Sequence, residues 1–425
     1  MELFPGCYRK DLASGLSVIG QEEQQSKSVS LGLWFKSGSR DETPEENGIT
    51  HLIEHLLFRG TENRSAYRIT SDVDRLGGHI NGSTSREYLL LSLRLLPESL
   101  NEGLEILTDL ATNPLFREED FRVEKDVVLE EIRSSHDDHQ SETVRLLEET
   151  IWGENSGLAQ PVRGTEASLK DLTGNDVAAR YGTLKRPGEM MLVGAGNMNF
   201  AELYQSTGKH LAGIGQNKPD EQGRSPTGET VEVPRGKTKS DARDINQLHC
   251  AIGVEGLAKS DEDRYPLEML NIVLGQGMSS RLFRKVRKEH GLAYQVTSNA
   301  QYFTDTGFFL VYGAMAPENL DQFIDLVTEE LENLVKNRVG SDELERAKKK
   351  TKGNLVLGLE NNRSLMGRLG VTALHESEFL SVSEVIERIE AVSPEEIQSV
   401  AERLLDRKGL NYAILGPEVE EASVL

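Results

Sequence analysis

The sequence predicts an α+β protein of two similar domains, each an antiparallel sheet with helices packed on one face. Three observations point there. Segments that alternate apolar and polar residues are interspersed with segments whose apolar residues recur at helical spacing. The strand–helix order of the first half returns in the second. Between the halves, residues 216–241 are rich in Gly, Pro and charge and read as a linker. The expected organisation is therefore an N-terminal domain at 1–215, a linker at 216–241 and a C-terminal domain at 242–425. With 425 residues, 37% hydrophobic and 28% charged, the chain has material for more than one core.

In the first half, "LSVIGQE" and "SVSLGLWFKS" read as strands that end in Gly, Ser and charged turn residues. "RDETPEENG" is a loop, and "ITHLIEHLLF" has helical apolar spacing. "AYRITSDVDRLG" is a second helix, stopped by Gly77 and Gly78. "HINGSTSREYLLLSLRLL" is a pair of strands with a turn near Ser85 to Glu87. Helices follow from Pro97 to near Thr112 and over "REEDFRVEKDVVLEEIRSS", whose acidic first turn complements the helix dipole. In the second half, "INQLHCAIGVEG" is a strand, while "RYPLEMLNIVLGQG" and "SSRLFRKVRKEHG" are helices. "LAYQVTSNAQYF" and "TGFFLVYGAM" are paired strands, followed by long helices between Pro317 and Ser364. The closing strand "GLNYAILG" echoes "EMMLVGAGN" of the first half.

The formal net charge of -22 excludes nucleic acid as a natural partner, because phosphate binding needs a basic surface. Solubility accounts for such acidity, and an acidic cavity would suit an unfolded or basic peptide. Two cysteines, Cys7 and Cys250, form no Cys-x-x-Cys pattern, so neither a disulfide framework nor a cysteine metal site is implied. No signal-peptide pattern opens the sequence, and no apolar run of about 18 residues crosses a membrane. A cytoplasmic location is expected, or an organelle matrix if a leader has been removed.

The stretch "HLIEHLLFRG" carries the chemistry. On a helix, His51, Glu54 and His55 fall within an arc of about 100°. Both imidazoles can reach one ion, with Glu54 beside them as the natural general base for its water. From composition alone, a His-x-x-acid-His string is expected about 0.03 times in such a chain. The other reading is an amphipathic helix with polar residues on its edge. A third ligand must come from elsewhere. In "VEKDVVLEEI", Glu124 and Glu131 share a face with apolar neighbours, while Glu130 points about 100° away from Glu131. Glu131 as ligand and Glu124 as its support fit the cost of burying carboxylates. A solvated acidic face fits the composition equally well.

"HLIEHLLFRGT" resembles the inverted zinc motif of the pitrilysin and insulinase family of metallopeptidases. The family pattern continues with a basic residue, Gly and Thr, here Arg59, Gly60 and Thr61, and with two glutamates seven residues apart. The resemblance implies that His51, His55 and Glu131 hold one Zn2+ per chain, that Glu54 is the base and that Glu124 supports the site. "LGGHINGSTS" resembles the family's edge strand that receives substrate, so Asn81 and Gly82 are implied substrate contacts. Gly82 stands where alanine is usual, which makes that strand more flexible. "RKEHGLAY" resembles the C-terminal half of the family, where an arginine and a tyrosine seven residues apart face the zinc. Arg287 and Tyr294 match that pair, for substrate carbonyl groups and the oxyanion.

The resemblance spans Leu16 to Gly416 and implies the family's short-chain branch, similar to the mitochondrial processing peptidase and its bacterial relatives. The fold implied is half of a clamshell, completed by a homodimer. The activity implied is a zinc endopeptidase that cleaves unfolded or presequence-like peptides inside an enclosed chamber. A non-catalytic or partner-dependent subunit of a heteromeric processing peptidase is the alternative. Two further motifs lead elsewhere. "LGQGMSS" lies between two helices and is no nucleotide loop. "HDDH" at 136–139 reads as a solvated helix end rather than a second metal site.

Overall fold

The computed structural model describes residues 1–186, 188–211, 236–376 and 378–417. Its chain forms two compact units. The first holds a seven-stranded sheet made of β1 (Glu2–Phe4), β2 (Cys7–Asp11), β3 (Ser17–Glu22), β4 (Val29–Phe35), β5 (His79–Thr84), β6 (Leu89–Leu95) and β7 (Met190–Gly196). Its order is β1-β2-β3-β7-β4-β6-β5, which leaves β5 at an edge. The second holds a five-stranded sheet of β8 (Thr238–Ala242), β9 (Leu248–Glu255), β10 (Ala293–Tyr302), β11 (Gly307–Met315) and β12 (Asn411–Gly416), in the order β10-β11-β9-β12-β8. Read from the other end, β8-β12-β9-β11-β10 repeats β3-β7-β4-β6-β5. Pairing is antiparallel except at β3–β7 and β8–β12, the same place in both sheets. The repeat seen in the sequence is thus a repeat of topology.

The helices of the first half are α1 (Ile49–Leu57), α2 (Ala66–Arg75), α3 (Leu100–Thr112), α4 (Glu118–Ser135), α5 (His139–Trp152), α6 (Glu166–Asp171), α7 (Gly174–Leu184) and α8 (Phe200–His210). Those of the second are α9 (Arg264–Leu274), α10 (Leu320–Lys336), α11 (Ser341–Gly358), α12 (Asn362–His375), α13 (Val382–Ala391) and α14 (Pro394–Leu404), with a π-helix at Phe283–Glu289. Alternation along β4 sends Val29, Leu31, Leu33 and Phe35 into one core with α1, α3, α4 and α7. Along β9 it sends Cys250, Ile252 and Val254 into the matching core with α9, α10 and α14.

The opposite face of each sheet is also covered, by one helix from the other half of the sequence. In the first unit, α12 lies so close that a Cβ on Gly32 would fall 2.4 Å from the Met366 sulfur, and one on Gly370 2.2 Å from the Trp34 ring. In the second, Leu146, Leu147, Ile151 and Trp152 of α5 pack on Ala251, Leu310, Tyr312 and Leu415. Consequently the units do not follow the expected cut at 1–215 and 242–425. Ser135–Ala159 joins the second unit and Leu359–Leu374 the first. The cause is packing: both faces of each sheet are apolar, and each outer face is closed by a helix that its own half of the sequence does not provide.

Three smaller differences also arise. The β1–β2 hairpin falls in charged sequence that shows no alternation. Of the expected linker 216–241, residues 216–235 lie outside the described residues, but Thr238–Ala242 is strand β8. "TKSDA" has no apolar pattern because an edge strand is held by its backbone ladder, here to β12. Lastly, the expected helix around 279–291 is wound as a π-helix over Phe283–Glu289.

Candidate metal centre

Helix α1 is set by its N-terminus. Gly48 precedes it with φ of +95°, and a Cβ there would come within 2.6 Å of the Arg163 carbonyl oxygen. The buried carboxylate of Glu42 closes the helix start by accepting from the backbone N–H of Gly48 (2.7 Å) and of Thr50 (2.8 Å). Burial pushes Glu42 up to about 7, against the opposing hydrogen bonds to Thr50 and Gly48. The folded state therefore holds the Glu42 proton at pH values where the unfolded chain, near 4.5, has lost it. Stability from this group is present at low pH and is lost as pH rises through about 7. Urea unfolding at pH 5 and pH 8 should show the wild type losing on the order of 3 kcal/mol relative to Glu42→Gln. Equal pH dependence of the two proteins would exclude this coupling.

Ile49, Leu52, Ile53, Leu56 and Leu57 face the core, so His51, Glu54 and His55 stand on the accessible side, with 12%, 15% and 17% of their side chains exposed. Across from them, α4 buries Phe121, Val128 and Ile132, which turns Glu124 and Glu131 toward α1. His51 Nε2 lies 3.1 Å from Glu131 Oε2, and His55 Nε2 lies 3.7 Å from Glu131 Oε1. These three residues form a candidate metal-ligand group with donor atoms within 4.8 Å of one another. Tetrahedral zinc with ligands near 2.1 Å needs donors spaced by about 3.4 Å. Glu131 at 3.1 and 3.7 Å from the two imidazoles lies near that spacing, and two imidazoles with one carboxylate are a donor set that suits zinc.

The surroundings fit as well. The far nitrogen of His55, Nδ1, lies 2.8 Å from Glu124 Oε2, which holds the proton on that side and frees Nε2 to ligate. Glu124, 7% exposed, also accepts from Arg59. Burial alone would raise the Glu124 carboxyl, but the hydrogen bonds from His55 and Arg59 outweigh it and hold it below the ordinary range. Glu54 Oε2 sits 3.5 Å from His51 Nδ1 and accepts from the Thr84 hydroxyl at 2.6 Å. Here too burial would raise the carboxyl, and the hydrogen bonds from His51 and Thr84 keep it low and ionised. A carboxylate beside three candidate metal donors is a candidate general base by position. Glu130 points away and pairs with Arg133, as its helical phase predicts.

The edge strand β5 runs beside Glu54. A Cβ on Gly82 would lie 2.6 Å from Glu54 Cγ and 2.7 Å from its Oε1, so the missing methyl is space that the Glu54 side chain fills. Asn81 is exposed, and its amide donates to the Gly82 carbonyl at 2.6 Å. Within the second unit, the Arg287 guanidinium lies over the rings of Phe283 (5.0 Å) and Tyr294 (4.9 Å), and Tyr294 is 75% exposed. The arginine and tyrosine of "RKEHGLAY" are thus neighbours on a surface. His139 stacks edge-on against His249, 5.3 Å between ring centres, and His136 pairs with Glu142. No metal-ligand group forms there among the described residues.

Sequence reasoning assigned no role to Thr84, Glu42 or Arg163, whose Nε lies 3.4 Å from Glu131. Of these only Thr84 had a legible signal, since it shares a strand face with Gly82 at i, i+2.

The chain is similar to known proteins over most of its length. Residues 17–166 fit the insulinase family (peptidase family M16), and residues 171–351 fit the family described as the peptidase M16 inactive domain. The chain is 35% identical to an uncharacterized zinc protease of Streptomyces coelicolor over 96% of this chain and 89% of that one. It is 33% identical to the uncharacterized zinc protease YmxG of Bacillus subtilis, over 92% and 94% of the two chains. In fold it is similar to a protease from Helicobacter pylori, with a TM-score of 0.88 at 21% identity over 97% and 99% of the chains. A peptidase M16 inactive domain from Pseudomonas fluorescens has a TM-score of 0.86 at 18% identity over 97% and 98% of the chains. Both matched relatives are named zinc proteases. The chain belongs to the insulinase family, peptidase family M16. No described helix is long and apolar enough to cross a membrane.

Proposed function

We propose that the chain is a zinc-dependent endopeptidase for unfolded peptides. The observation that carries the reading is the convergence of His51, His55 and Glu131, with Glu54 Oε2 3.5 Å from His51 Nδ1. These three residues would hold the zinc, and zinc held there supplies Lewis acidity to the scissile carbonyl and the attacking water. The peptide adds as a strand to the open edge of β5, where the Gly82 carbonyl exchanges the Asn81 amide for a peptide N–H. Glu54 takes the proton of the attacking water and returns it to the leaving amine. Tyr294 donates to the developing oxyanion, and Arg287 holds a substrate carbonyl. Enclosure, together with strand addition, selects extended chains over folded ones, and the net charge of -22 favours basic peptides.

The match of 171–351 to an inactive domain does not weigh against this reading, because every proposed ligand lies within 17–166. We assign Arg287 and Tyr294 to the zinc site of a second copy, so that a homodimer completes two sites. Complementation tests both ideas. Glu54→Gln and Tyr294→Phe dimers, each nearly inactive on a quenched basic peptide of about 20 residues, should regain up to about a quarter of wild-type activity when mixed and reassembled. No recovery in verified mixed dimers would mean that each chain completes its own site. No cleavage by the wild type would favour a partner-dependent or non-catalytic subunit.

A further inference from the structure

We propose that Thr84 is a positioning residue for Glu54, seating the general base against the same strand that receives the substrate. The inference rests on the peptidase reading. Along β5, Gly82 and Thr84 project to the face that meets α1, while Asn81 projects to the other. The Thr84 hydroxyl donates to Glu54 Oε2 at 2.6 Å, and Glu54 Oε1 lies in the space over the Gly82 Cα. One carboxylate oxygen is thereby committed, and the torsions of a long, flexible side chain are fixed. The other oxygen is left to take and return the proton.

Without the hydroxyl, Glu54 has a neighbour that competes for it. His51 Nδ1 lies 3.5 Å from Glu54 Oε2, the same oxygen that accepts from Thr84. A carboxylate free to rotate would spend much of its time out of line with the water. Threonine suits the task because β-branching restricts its χ1 and favours the strand that carries it. Gly82 contributes by leaving room: its bare Cα lets the carboxylate lie flat against the strand.

The test uses the zinc-loaded protein and three forms of residue 84. Thr84→Val keeps the shape and β-branching but has no hydroxyl, whereas Thr84→Ser keeps the hydroxyl. Thr84→Val should lower kcat about 10- to 100-fold, the loss of one hydrogen bond to a charged group, with KM within about twofold and zinc content unchanged. Thr84→Ser should stay within about threefold of wild type in kcat. Crystal structures supply a readout that does not need activity: Glu54 should keep one side-chain conformation in Thr84→Ser and lose it in Thr84→Val. An unchanged kcat in Thr84→Val, or a Glu54 side chain that does not move, overturns the proposal while leaving the peptidase reading intact. A rise in KM at constant kcat also overturns it, because Thr84 would then serve the substrate strand alone. Absence of any Glu54-dependent cleavage in the wild type removes the peptidase reading and this inference with it.

Discussion

Glu54→Gln should bind zinc as the wild type does, yet cleave an unstructured peptide at least about 10²-fold more slowly. Glutamine is nearly the same size, keeps an oxygen that can accept from Thr84, and leaves His51, His55 and Glu131 in place. Only the capacity to take a proton is removed. The loss should therefore appear in kcat, with little change in KM, since the proposed role of Glu54 lies in the transition state rather than in strand addition. The measurement pairs metal analysis with steady-state cleavage. Equal rates for the two proteins would exclude Glu54 as the base and point to contaminating activity or another carboxylate. A variant that loses zinc as well would show that Glu54 supports the ligands, which its 3.5 Å approach to His51 Nδ1 makes worth measuring.

His55→Ala should remove metal and activity together, a larger effect because one change breaks two arrangements. His55 contributes a proposed ligand nitrogen, and its other nitrogen is a hydrogen-bond partner of the buried Glu124. Catalytic zinc sites use three protein ligands, and two do not retain the ion through purification. Zinc content should fall from near one per chain to near zero, and cleavage should drop by at least about 10³-fold. Thermal stability should fall too, since zinc binding to the folded state alone stabilises by mass action, and since the buried Glu124 would lose one of its two hydrogen-bond partners. His136→Ala serves as the control and should change neither zinc nor rate. Full zinc retention in His55→Ala would rule out the proposed ligand set.

Much of this was legible without coordinates, for reasons that differ from element to element. His51, Glu54 and His55 could be read together because helical geometry is local: a three- and four-residue spacing fixes their common side. Glu124, Glu130 and Glu131 could be sorted for the same reason, and in the fold Glu124 and Glu131 face α1 while Glu130 pairs with Arg133. That α4 lies across from α1 was a different matter. It depends on which apolar faces meet, and the sequence suggested it only through the resemblance to a family. Thr84 lay in the resembling segment "LGGHINGSTS" without a task until the fold set it 2.6 Å from Glu54. Arg59 was part of a motif without a task until it met Glu124.

By itself, then, the sequence determined the repeated strand–helix order, the helix with two histidines and a glutamate on its accessible side, and the family. The first two rest on periodicity and spacing, which are properties of neighbouring residues, and the family rests on the resemblance of its motifs. The tertiary structure alone decided that α5 and α12 each close a sheet of the other half, that a segment without an apolar pattern becomes strand β8, and that Thr84 and Gly82 meet Glu54. Those outcomes come from long-range packing and backbone pairing, where close approach at Gly32, Gly82 and Gly370 selects a partner that no local pattern encodes.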